Sequence, residues 1–156
     1  MSKDQWCLGT GSPIKAEVCV QKYYFQAHLY ISKLNRLDQS TLGDKILQAL
    51  LNVMAEIRIV YQVEPREKDH HFITILAMLG TLECYWYTFL KLRLFKFTST
   101  KQRSKFHDVS DGNAPVLTPT KEEVRKHECI LALHRDVVTS ILSWKQYTAN
   151  KLKSLN

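Results

Sequence analysis

The stretch LGDKILQALLNVMAEIRIVYQV, residues 42–63, decides the fold. Its apolar residues Ile46, Leu47, Leu50, Val53, Met54, Ile57, Val60 and Tyr61 recur at intervals of three and four, the spacing that lines one face of an α-helix. Asp44, Lys45, Gln48, Asn52, Glu56 and Arg58 fall on the other faces. An amphipathic helix must bury its stripe against neighbours of the same kind.

Proline marks out those neighbours. Pro13 precedes the first apolar block, Pro65 divides the second from the third, and Pro115 and Pro119 precede the last. Proline lacks a backbone donor and clashes with the preceding turn, so helices start or stop there. Block one, residues 14–37, places Val20, Tyr23, Tyr24, Ala27, Tyr30, Ile31 and Leu34 on one face, with Ser12-Pro13 as N-cap and first helical residue. Phe25 and Leu29 extend its apolar surface to a second side, as in a helix that sits centrally or meets a partner. A turn over residues 38–41 is expected next.

Block three, residues 68–95, is nearly all apolar from Phe72 to Leu90, broken by Thr74, Gly80, Thr81, Glu83 and Thr88. A run of roughly 20 residues has the length to span a bilayer. Against this, Glu83 near its middle would cost about 2.5–3.5 kcal/mol in the bilayer centre. Tyr85, Trp86 and Tyr87 also lie inside the run and not at its ends. The run reads as a buried central helix, with a membrane span over 72–90 as the alternative. Gly80 reads as a close helix–helix contact. Block four, residues 120–152, opens on a capping box, Thr120 with Glu123, and carries Ile130, Leu133, Val137, Ile141 and Trp144 as its stripe. The expected fold is therefore all-α, one domain, a four-helix bundle or close variant. Residues 1–12 are expected to be flexible, and a longer loop is expected over 108–119 before the last helix.

A length of 156 residues suits one domain, and 45% hydrophobic with 24% charged residues is the balance of a folded globular chain. The first ten residues lack a charged start leading into an apolar run, so no secretory signal is expected. Cys7, Cys19, Cys84 and Cys129 are scattered and never form CxxC; two bridges are possible on number alone, but with no secretory signal expected they read as reduced, intracellular thiols, with Cys84 and Cys129 acting as small hydrophobes. The net charge of +7 favours acidic partners. Lys91, Arg93, Lys96, Lys101, Arg103 and Lys105, with Phe95, Phe97 and Phe106 among them, form the candidate nucleic-acid segment: cations for phosphates, rings for bases.

Catalytic signatures are absent. There is no HExxH or CxxC, and His70-His71 and His127/Cys129 point to different helix faces, so no metal or cofactor is expected. Gly9-Thr10-Gly11-Ser12 lacks the lysine of a phosphate loop. Arg66 and His71 have the R-x4-H spacing that resembles the ribonuclease motif of HEPN domains, themselves small helical bundles. The resemblance implies a histidine near a 2′-hydroxyl and an arginine on the phosphate. Ser12-Pro13-Ile14-Lys15 and Thr118-Pro119-Thr120-Lys121 resemble the consensus of cyclin-dependent kinases. That implies phosphorylation at Ser12 and Thr118 and a nuclear, cell-cycle-regulated setting.

The functional expectation is a non-enzymatic helical interaction module, a subunit of a larger intracellular complex. Phe25 and Leu29 form its interface with a protein partner or a second copy, and Trp86, Trp144 and the block-one tyrosines are further anchors. The alternatives are a nucleic-acid binder acting through residues 91–105, a HEPN-like ribonuclease, and a membrane protein spanning with 72–90.

Overall fold

The computed structural model describes residues 13–96 and 118–155. Four helices dominate: α1 (Pro13–Ser32), α2 (Asp44–Gln62), α3 (Lys68–Lys91) and α4 (Lys121–Leu155). α1 packs against α2 and α4, and α3 packs against the same two, so the helices close a ring around one core. The architecture is an all-α four-helix bundle. The stripe of α2 lies where its periodicity requires: Ile46, Leu50, Val53, Ile57 and Val60 are buried, and Leu47, Met54 and Tyr61 pack at the margin.

The first connection differs from expectation. α1 stops at Ser32, and residues 38–41 are helical: a single turn, Arg36–Asp38, runs through a π turn, Gln39–Gly43, into α2. Asn35 is the reason. Its side chain accepts the Asp38 N–H at 3.0 Å and donates to the Asp38 carboxylate at 2.7 Å, which starts the helix early. Gln39 then donates its side-chain amide to the Ser32 and Leu34 carbonyls, at 3.2 and 2.8 Å, closing the end of α1.

Two glycines have opposite meanings. A Cβ on Gly43 would lie 2.8 Å from Ile31 Cγ2 and 3.2 Å from the Asp38 carbonyl. Ile31 is buried and branched and cannot move aside. Gly80 is exposed, and a Cβ there would meet nothing within 4 Å. The expected close contact at Gly80 is thus not made, because α3 turns that residue outward. Gly43→Ala should destabilise the protein by about 1–3 kcal/mol through overpacking. Gly80→Ala should stabilise it by about 0.5–1 kcal/mol through helix propensity. Urea denaturation of both variants checks this, and shifts of the same sign would contradict it.

α3 begins after a 3-10 turn, Pro65–Glu67, and buries Phe72, Ile75, Leu79, Leu82, Trp86 and Phe89. Ile73, Ala77, Gly80, Thr81, Cys84 and Tyr87 are exposed on its outer side. It is one wall of the ring and not a central helix. Together with that leading turn it is long and apolar enough, by length and composition, to cross a membrane. Cys84 and Cys129 are exposed and do not serve as core residues, because each falls off the buried stripe of its helix. The capping box of α4 forms: the Thr120 N–H donates to the Glu123 carboxylate at 2.7 Å, and the Glu123 N–H to Thr120 Oγ1 at 3.3 Å.

Candidate functional site

The core of the bundle holds a polar chain that ties three helices together. Trp86 on α3 donates its indole N–H to the Tyr23 hydroxyl of α1 at 2.8 Å. The same hydroxyl lies 2.8 Å from Nδ1 of His134 on α4. An indole nitrogen can only donate, so the tyrosine oxygen accepts from it. The single phenolic proton then goes to His134 Nδ1, since the reverse arrangement would leave that proton buried without an acceptor. Burial also pushes the Tyr23 phenol far above its ordinary range, so it stays a donor. His134 is therefore the Nε2–H tautomer. Its Nε2 faces Glu83 of α3, whose Oε2 is 4.0 Å away.

Burial holds His134 below the ordinary histidine range, with Glu83 opposing the shift, and it lowers His127 in the same way. Both are neutral in the fold at neutral pH. An unfolded histidine takes up a proton near pH 6.5. The stability they support is thus fully present above about pH 6.5 and is lost as pH falls below it, by up to about 1.4 kcal/mol per group per pH unit. Urea midpoints should fall between pH 7.5 and pH 5.5. A flat or rising profile over that window would contradict buried neutral histidines.

A second polar cluster sits where α3 ends. Arg93 has φ 62°, the left-handed conformation that usually ends a helix on glycine. Its side chain turns inward, only 6% of the residue is exposed, and Nε reaches both Glu123 carboxylate oxygens at 2.9 and 3.0 Å. Arg93 is therefore not a solvent-facing phosphate contact, because Glu123 holds it in the core. Phe95 is not available to stack on bases either. It is fully buried in the 3-10 turn Leu94–Lys96, against Phe89, Trp86, Tyr30 and His127, with ring centroids 4.6, 6.1, 5.5 and 5.9 Å away. Lys91 is exposed and Lys96 half-buried. Lys101, Arg103, Lys105, Phe97, Phe106 and Ser12 lie outside the described residues, as does most of the 108–119 loop. Thr118 is exposed.

The outer side of α1 carries Phe25, 66% exposed, and Leu29, 41% exposed, one turn apart and opposite the buried Tyr23, Ala27 and Ile31. Val18 is half-buried two turns before Phe25, and Lys15 and Lys22 are exposed. The single acid of α1, Glu17, is drawn to Arg58 of α2 at 2.7 Å. Trp86 and Trp144 are buried in the bundle's own core and are not available as interface anchors.

Arg66 and His71 have different surroundings. Arg66 is exposed in the turn before α3, while His71 Nδ1 lies 2.6 Å from the Glu56 carboxylate of α2. The His70 and His71 rings meet at a tilt of 38°, with centroids 3.9 Å apart. Among the described residues no three His, Cys, Asp or Glu side chains converge to hold a metal ion. Comparison with known proteins finds no matching family model, no similar curated protein and no similar solved structure.

Proposed function

We propose that the protein is a non-enzymatic helical interaction module, a subunit of a larger complex, that docks a partner helix or a second copy along the outer side of α1. The exposed pair Phe25 and Leu29 carries this reading. Single exposed apolar residues are ordinary on a protein surface. Two bulky ones, one turn apart on a helix whose other side already fills the core, form the anchor of a helix-in-groove contact. Lys22 is exposed one turn before Phe25, so a partner with an acidic residue beside its apolar stripe is favoured. The test is loss of association on placing charge at Phe25 and Leu29 with the helical fold retained.

A further inference from the structure

Between α3 and α4 a cavity of about 260 Å³ opens to solvent, lined by Glu83, Leu131, His134, Arg135, Val138 and Thr139. His134 is its built element. The residue is only 4% exposed, and Tyr23 and Trp86 fix its ring from behind. That chain commits Nδ1 as an acceptor and presents Nε2–H at the cavity, toward Glu83. The 4.0 Å from Nε2 to Glu83 Oε2 is beyond hydrogen-bond reach. A donor and an acceptor thus stand side by side without satisfying each other.

The spacing selects a ligand. In a carboxamide the oxygen and nitrogen are about 2.2 Å apart, from standard bond lengths. Two hydrogen bonds of about 2.9 Å splaying outward from such a group span a donor and acceptor at this separation. Leu131 and Val138 offer apolar wall for the attached carbons. Glu83 and Arg135 offset each other in charge, so the lining offers no net charge complementarity to a carboxylate or to an ammonium, and a neutral group loses least on leaving water. We propose that this cavity is a binding site for a neutral carboxamide, whose carbonyl accepts the His134 Nε2–H and whose N–H donates to Glu83. The group is supplied by an asparagine or glutamine side chain of a partner or by a free small amide. This site is separate from the outer side of α1 and does not depend on that reading.

The test follows the His134 ring signals by NMR while the full-length protein is titrated with isobutyramide, isobutyrate and isobutylamine. Isobutyramide should give a saturable shift with half-saturation at about 1–30 mM, the range open to so small a fragment. The two charged isosteres, and isobutyramide added to Glu83→Ala, should bind at least about fivefold more weakly. Glu83 is 49% exposed at its side chain, so this variant should keep its fold, which circular dichroism checks. A capped glutamine dipeptide added as a further arm separates the sources: tighter binding than isobutyramide assigns a partner's side chain, and equal binding a free amide. Equal responses to all three isosteres, no saturable shift, an unchanged response in Glu83→Ala, or carbon shifts showing the Nδ1–H tautomer would each overturn the proposal.

Discussion

Glu123→Ala is expected to cost about 3–5 kcal/mol, a large part of the 5–15 kcal/mol that holds a domain of this size together. The reason is asymmetry. The Arg93–Glu123 pair is buried on both sides, with side chains 7% and 2% exposed. Removing the carboxylate leaves the guanidinium charge in the core without it, and that penalty exceeds whatever the intact pair contributes net. The same substitution removes the carboxylate that accepts the Thr120 N–H, opening the capping box of α4. Arg93 stands in a left-handed backbone that disfavours any residue with a Cβ, so the pair also holds a strained helix end in place. Chemical denaturation at neutral pH measures the effect. A loss below about 1 kcal/mol would mean the pair is solvated and contributes little to holding the end of α3 against α4.

The second large effect is at Trp86. Trp86→Ala should cost about 3–5 kcal/mol, since the ring is fully buried and its loss opens a cavity. Finer substitutions separate packing from hydrogen bonding. Trp86→Phe keeps much of the volume and leaves Tyr23 without its indole donor. Tyr23→Phe removes one oxygen yet strands both the Trp86 N–H and His134 Nδ1, so it should cost about 2–5 kcal/mol although it is the smaller change. A Tyr23→Phe protein within about 0.5 kcal/mol of the parent would show that the chain of hydrogen bonds adds nothing to the bundle.

Much of this was legible in the sequence. The stripe of residues 46–61 and the placement of the prolines are enough for a four-helix ring, and Thr120 with Glu123 marks the start of α4. The polar core of α4 was also readable, since Glu123, His127 and His134 fall on the same three-and-four spacing as Ile130, Val137, Ile141 and Trp144. A polar residue at a stripe position is a buried polar residue in need of a partner. Its partner was not readable. Tyr23 is 111 residues from His134, and Arg93 is 30 from Glu123 across the segment between α3 and α4. Arg93 lies past the end of α3, where no periodicity says which way a side chain turns, so it looked like one cation of a basic run. Gly80 and Cys84 misled for a related reason: the apolar run of α3 is so dense that sequence alone does not say which third of the helix faces inward. The second apolar side of α1 was readable as a pattern, and the exposure of Phe25 and Leu29 gives it a place on the surface.

The most direct measurement of the interaction reading compares the parent protein with Phe25→Asp/Leu29→Asp, by affinity purification with mass spectrometry for partners and by sedimentation velocity for self-association. Both residues point away from the core, so the helical circular-dichroism signal and thermal midpoint should be retained, while specific association, with a partner or with a second copy, should be lost. Retained fold with unchanged association would contradict the reading and place the interface elsewhere. Loss of the helical signal itself would show that this side of α1 belongs to the core.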